Sequence, residues 1–173
     1  MPGIIESYVH TGNNIGVLVE VGCQSDIAAR TSELKSLAKN IAMQIAACPE
    51  IKYITTADIP TKVTELIKST EMSRKDLSDK PTNIRDKIVR ERIESRFKEM
   101  CLLERDYIRQ QDITVQDLVK LHNVQLSENI QVRRFVRFQA DESEDSPPNS
   151  DFRVPNKPFP NSPDPLTSEA ELE

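Results

Sequence analysis

Between Gly16 and Ala47 the apolar residues change their spacing, and that change confines the fold more tightly than anything else in the sequence. Gly16-Val-Leu-Val-Glu-Val21 is rich in β-branched residues. Side chains alternate along a strand, so Val17, Val19 and Val21 share one face while Leu18 and Glu20 occupy the other. From Leu34 the apolar positions become Leu34, Leu37, Ala38, Ile41, Ala42, Ile45 and Ala46, the stripe of a helix that buries one side. Thr31 or Ser32 supplies the N-cap, and Pro49 falls just past the last turn. A short polar elbow, Cys23-Gln-Ser-Asp-Ile-Ala-Ala-Arg30, joins strand to helix and sets Asp26 near the free N–H groups of a helix start.

The rest of the chain supplies partners for these two elements. Ile4-Ile-Glu-Ser-Tyr-Val9 reads as a strand, and Thr11-Gly-Asn-Asn14 tolerates the left-handed backbone of a tight hairpin, so the two strands pair antiparallel. Ile130 to Phe138 is a third strand. Strict alternation puts Ile130, Val132, Val136 and Phe138 on one face with Arg134, and Arg133, Phe135 and Arg137 on the other. Between the strands, Lys52 to Thr56 is a short extended connection. Thr56 or Asp58 caps a helix that starts near Pro60, carries Val63, Leu66, Ile67 and Thr70, and runs to about Leu77. Lys80-Pro81 interrupts it, because the residue before proline is pushed out of the helical region. A third helix from Pro81 to Cys101 turns Ile84, Ile88, Ile93, Phe97, Met100 and Cys101 inward and completes a helical hairpin. Thr114-Val-Gln-Asp117 opens a fourth helix with a capping box, which runs to about Leu126. The pattern predicts an α+β fold: a small antiparallel three-stranded sheet packed against helices, with a helical hairpin.

Residues 1–140 form the expected core domain and residues 141–173 an acidic, proline-rich tail. Seven of the eleven prolines lie in the tail, and too few apolar residues remain there to offset the entropy of ordering, so it is expected to be disordered. From Asp141 onward nine acidic residues stand against two basic ones. Of the formal charge of −5 the tail therefore holds −7 and the remainder +2. Neither value suits a nucleic-acid-binding face.

The residue inventory is poor in chemistry. His10 and His122 are the only histidines and have no neighbouring nucleophile pattern, so no catalytic residue is assigned. Cys23, Cys48 and Cys101 are odd in number and widely separated, which argues against a disulfide framework and against a zinc site; they read as small buried hydrophobes. No phosphate loop or dinucleotide fingerprint is present, and no cofactor is expected. No apolar run approaches the roughly 20 residues that span a bilayer. Met-Pro-Gly-Ile-Ile lacks the character of a signal or transit segment, which leads to the expectation of a mature chain. The run Arg133-Arg-Phe-Val-Arg137 could track phosphates, but the plainer reading makes it a solvated sheet face or a set of partners for acidic residues.

The elbow and its flanks resemble the translation elongation factor Ts family. The family hallmark runs Gly-Val-Leu-Val-Glu-Val-Asn-Cys-Glu-Thr-Asp-Phe-Val-Ala-Arg, and here the sequence is Gly16-Val-Leu-Val-Glu-Val-Gly-Cys-Gln-Ser-Asp-Ile-Ala-Ala-Arg30. The likeness continues through Leu37-Ala-Lys-Asn-Ile-Ala-Met-Gln-Ile-Ala-Ala47, Lys80-Pro81, Lys87-Ile-Val89, Leu102-Leu-Glu104 and Glu128-Asn-Ile-Gln-Val-Arg-Arg-Phe-Val-Arg-Phe138. The resemblance implies a guanine-nucleotide exchange factor rather than a bond-making enzyme. It would promote GDP release from elongation factor Tu by docking Ser25, Asp26, Ile27 and Ala28 on that partner's nucleotide domain. It also implies a homodimer or a fused two-copy equivalent.

The departures from the family pattern carry expectations of their own. Ile27 stands where the family has an aromatic wedge, a loss worth about 1 to 3 kcal/mol in a packed interface. Family members carry a small three-helix module before this point, so weakened exchange is expected. Arg90-Glu-Arg92, Arg105-Asp-Tyr107 and Ser127 also depart from the family pattern. The alternative is an interaction or structural protein, a dimerisation or ribosome-associated module without exchange. Ala47-Cys-Pro49 with Tyr53 is similar to plastid and cyanobacterial members, which implies the bacterial cytoplasm or the plastid stroma.

Overall fold

The computed structural model describes residues 2–140. The expected disordered tail lies outside them. A three-stranded antiparallel sheet is formed by β1 (Gly3–Val9), β2 (Ile15–Gly22) and β5 (Gln131–Gln139), with β2 in the centre. The β1–β2 turn uses the left-handed backbone foreseen for it, with φ of 98° at Gly12 and 56° at Asn13. Helix α1 (Ser32–Ala47) lies on one face of this sheet. Its buried residues Leu34, Leu37, Ala38, Ile41, Ala42 and Ile45 meet Val17, Val19 and Val21 in one apolar cluster. Thr31 is its N-cap, and the Thr31 hydroxyl accepts from Leu34 N at 3.2 Å.

The third strand departs from strict alternation. Glu20 faces Arg134 but Val21 faces Val132, so Arg133 is one residue too many and forms a β-bulge. The bulge reverses the phase. Val132 is buried and Phe135 packs on the same cluster, whereas Val136 and Phe138 lie on the outer face with Arg134. The extra side chain folds back over Gly22, where a Cβ would come within 2.3 Å of the Arg133 guanidinium. There Arg133 donates to Glu20 Oε1 (3.1 Å) and to the Pro2 carbonyl (3.1 Å), and Arg134 binds the second Glu20 oxygen. These two bonds, Arg134 first, hold the Glu20 carboxyl below its ordinary range. The arginine run thus finds its acidic partner on the neighbouring strand.

After α1 the chain enters a two-helix arm, α2 (Thr61–Met72) and α3 (Thr82–Met100). Its neck is zipped by backbone bonds from Lys52 N and Tyr53 N to Met100 O, from Leu102 N to Tyr53 O and from Leu103 N to Ile54 O. The capping signals resolve differently from the sequence reading. Thr55 and Asp58 close a 3-10 turn of their own, and Pro60 occupies the N-cap of α2. A short 3-10 turn, Lys75–Leu77, buries Leu77 at the far end. Along α3 only Val89 is buried, while Ile88, Ile93, Phe97 and Met100 are half-buried and Ile84 is 46% exposed. A helix with one partner helix cannot cover a broad apolar stripe.

A charge cluster joins the two helices beside this small apolar contact. Glu71 of α2 has a side chain only 2% exposed and meets Arg96 at 3.0 Å, Arg74 at 3.6 Å and Arg92 at 3.9 Å. Asp76 adds a contact to Arg92 at 2.6 Å.

Two elements escape sequence reading. Asp106–Tyr107 (β3) and Gln110–Thr114 (β4) form a small second sheet beside α1. Buried Gln44 of α1 binds it, donating to Asp106 O (3.1 Å) and accepting from Ile108 N (2.9 Å). Helix α4 (Val115–Leu126) then starts with the expected capping box of Thr114 and Asp117 and ends at Ser127 with φ 52°.

Glu71 tests the account of the arm. Glu71→Gln leaves three guanidiniums facing one another around a neutral group. With those arginines a third to a half exposed, the loss is about 1 to 3 kcal/mol. Amide exchange measured by NMR should speed up along α2 and α3 while α1 and the sheet keep their protection.

Candidate functional site

The β2–β5 ladder ends at the pair Gly22–Gln131, and the chain must then turn from the sheet into α1. Cys23 anchors the turn. It is fully buried, its N–H donates to the Pro2 carbonyl (3.1 Å), and burial followed by the nearby Glu128 charge pushes its thiol pKa up. The next two amides, Gln24 N and Ser25 N, both donate to Glu128 Oε2 at 2.8 and 3.3 Å, and the Ser25 hydroxyl donates to Glu128 Oε1. The same hydroxyl accepts from Ala28 N at 3.1 Å, while Ala29 N returns to the Ser25 carbonyl at 3.2 Å. A 3-10 turn over Ala28–Arg30 runs into the Thr31 cap.

Within this buckled loop the four expected residues divide by role. Asp26 is exposed at the tip, and Ile27 beside it is 82% exposed, the most exposed of the large apolar side chains of the described residues. Ser25 is half-buried and holds the base. Ala28 is 5% exposed and belongs to the apolar cluster, so its methyl faces its own fold. The elbow is accessible at Asp26 and Ile27 and anchored at Ser25 and Ala28.

Glu128 is the residue that sequence reading passes over. It was visible only as part of the Glu128-Asn-Ile130 run, and nothing in the local pattern ties it to a loop a hundred residues earlier. Its hydrogen bonds, from the Ser25 hydroxyl first and the Gln24 amide next, hold its carboxyl below the ordinary glutamate value.

His10 Nδ1 lies 3.2 Å from the Tyr8 hydroxyl, and His122 Nδ1 donates to the Leu118 carbonyl of its own helix at 2.9 Å. All three cysteines are buried as free thiols, and burial pushes Cys101 up to about 12. Among the described residues no group of three or more His, Cys, Asp or Glu is arranged to hold a metal ion, and no helix is long and apolar enough to cross a membrane.

Fold and site together define an α+β scaffold that offers an exposed elbow on a hydrogen-bonded strand-to-helix corner. Comparison with known proteins agrees with the resemblance in the sequence. The family described as "Elongation factor TS" matches residues 1–142. Elongation factor Ts of Rippkaea orientalis is 57% identical over 136 residues, which is 79% of this chain and 55% of that protein. The Trichodesmium erythraeum protein is 56% identical over 79% of this chain and 62% of its own length. The "Elongation factor Ts, chloroplastic" of Guillardia theta is 52% identical with the same two coverages. The chain belongs to the elongation factor Ts family. It spans 55 to 62% of the length of these three relatives.

The lowered Glu128 carboxyl gives the elbow a pH signature. A group whose acidity is increased by folding stabilises the fold above its unfolded pKa, and this contribution disappears as pH falls through the lower folded value. The Ser25 amide proton, followed by NMR, should titrate with a midpoint below that of exposed glutamates. A midpoint at or above theirs would contradict the hydrogen-bonded carboxylate.

Proposed function

We propose that this chain promotes GDP release from elongation factor Tu, with the elbow tip as the contact made on that partner's nucleotide domain. The observation that carries this reading is Ile27, an isoleucine 82% exposed on a loop whose flanks are buried or hydrogen-bonded. An apolar side chain held out in water by a rigid base is suited to enter a partner's pocket. Asp26 adds a charge beside it, while Ser25 and Ala28 serve as the foundation. Exchange follows by linkage: a partner conformation that binds the elbow more tightly, and GDP less tightly, loses GDP affinity by the same coupling free energy. No bond is made or broken. The likeness to cyanobacterial and chloroplastic relatives supports the cytoplasm of such a bacterium or the plastid stroma as the compartment in which it would act. We assign it to residues 1–140 as the working domain, with 141–173 as an appendage.

Stopped-flow release of labelled GDP from elongation factor Tu tests this. Ile27→Phe restores a ring and should raise affinity about tenfold to a hundredfold, the equivalent of about 1 to 3 kcal/mol of buried wedge. Ile27→Asp should abolish acceleration. No acceleration by the native chain at micromolar concentration rules the exchange reading out.

A second reading, self-association, has its own support. The outer face of the sheet carries Ile5 (66% exposed), Val9 (60%), Leu18 (45%) and Phe138 (61%), with Val136 beside them. Apolar side chains gathered on one sheet face mark an interaction surface. Two copies joined face to face through these strands would form the dimer that the family resemblance implies, with or without exchange activity. In sedimentation analysis Phe138→Glu should convert a dimer to a monomer, because it buries a charge at the joint. A native chain that sediments as a monomer at high concentration excludes the dimer.

A further inference from the structure

We propose that Glu128 is a positioning residue that holds the elbow in its docking geometry, an inference that rests on the exchange reading above. Three donors from two consecutive residues converge on this one carboxylate: Gln24 N, Ser25 N and the Ser25 hydroxyl. No β-ladder is available to these amides, since pairing ends at Gly22. The Ser25 hydroxyl, oriented by Glu128, passes the constraint forward by accepting from Ala28 N. Asp26 and Ile27 are therefore suspended between two tethers, one at Ser25 and one at the 3-10 turn.

The clamp is itself anchored. Ser127 turns the chain out of α4 with left-handed φ, and Glu128 N donates to the Asn123 carbonyl at 3.1 Å. The Asn123 side-chain oxygen accepts from Ile130 N at 2.8 Å, and Ile130 is 2% exposed. Glu128 thus projects from a backbone pinned on both sides and reaches an elbow more than a hundred residues earlier in the chain. A contact loop ordered before binding does not spend association free energy on its own ordering, so the clamp should act on affinity.

The chemistry requires a carboxylate of this length. Glutamine at 128 would lose the charge that strengthens all three bonds and would turn an N–H₂ donor toward the Ser25 hydroxyl, which would then have to accept where it now donates. Aspartate keeps the charge but is one methylene too short to reach. A role exerted through charge alone would survive Glu128→Asp and fail in Glu128→Gln, whereas positioning fails in both.

The experiment has two arms. In the free chain, amide exchange by NMR at Gln24, Ser25 and Ala28 should speed up about tenfold or more in Glu128→Gln and Glu128→Asp, the loss of charge-assisted hydrogen bonds, while the α1 amides remain unchanged. With elongation factor Tu, both variants should need about tenfold more protein for half-maximal GDP release at an unchanged saturating rate. Unaltered exchange at Gln24 and Ser25 overturns the proposal. So does a loosened elbow with an unchanged half-maximal concentration, or full function in Glu128→Asp. If the native chain itself releases no GDP, the exchange reading falls, and the clamp is judged by the elbow amides alone.

Discussion

The packing of α1 on the valine face of β2 is the contact on which everything else rests. Val17, Val19 and Val21 are 0 to 2% exposed beneath Leu34, Leu37, Ile41 and Ile45, all at 0%. Truncating one such leucine or isoleucine to alanine typically costs about 2 to 5 kcal/mol. That is a large part of the stability of a domain this size. This contact fixes where β2 ends and where α1 begins, so the nine residues between them span a set distance in a set direction. A loop strung between two rigid ends can expose an isoleucine without collapsing onto it.

Fixed ends do not by themselves fix the middle, and polar groups do that work here. The elbow amides are taken up by Glu128, the neighbouring Glu20 takes up Arg133 and Arg134, and Gln44 ties the second sheet to the back of α1. In each case one side chain with two acceptor or donor sites joins segments far apart in sequence. Such bonds add modest net stability but are costly to leave unmade, so they select one arrangement among the many that an apolar core alone would permit.

This division explains what could be read in the sequence. Helix α1, the valine face, the Gly12-Asn13 turn and the Thr114–Asp117 capping box are local patterns, carried by spacing and by residue chemistry within a few positions. The α+β class and the three-stranded sheet followed from them. The bulge at Arg133 was not local: its side chain lies over Gly22 of the neighbouring strand, a packing that no single window of sequence contains. One extra residue then moved Val136 and Phe138 to the outer face. The β3–β4 hairpin turns at Ile108-Arg109 without glycine, asparagine or proline, so no turn signal announced it. Of the candidate site, the elbow was legible from the polar break between strand and helix, whereas its tip residues were singled out only by the family resemblance. The burial of Ala28 and the part played by Glu128 depend on tertiary contacts that no window of sequence contains.

The two proposed surfaces draw on different residues, which gives the molecule a simple logic. The sheet's outer face uses Ile5, Val9, Leu18 and Phe138, and the elbow uses Asp26 and Ile27. The inner face is consumed by α1, so a strand like β2 has two unlike duties, to build the core with its valines and to offer Leu18 outward. Self-association through the outer face would bury apolar area in proportion to the surface covered. The elbow has little area to bury and must rely on fit and on being ordered in advance. On the proposed docking, the polar clamp would matter more to the elbow than any single apolar contact, and the smaller side chain at Ile27 would make the advance ordering of its backbone the larger remaining source of affinity.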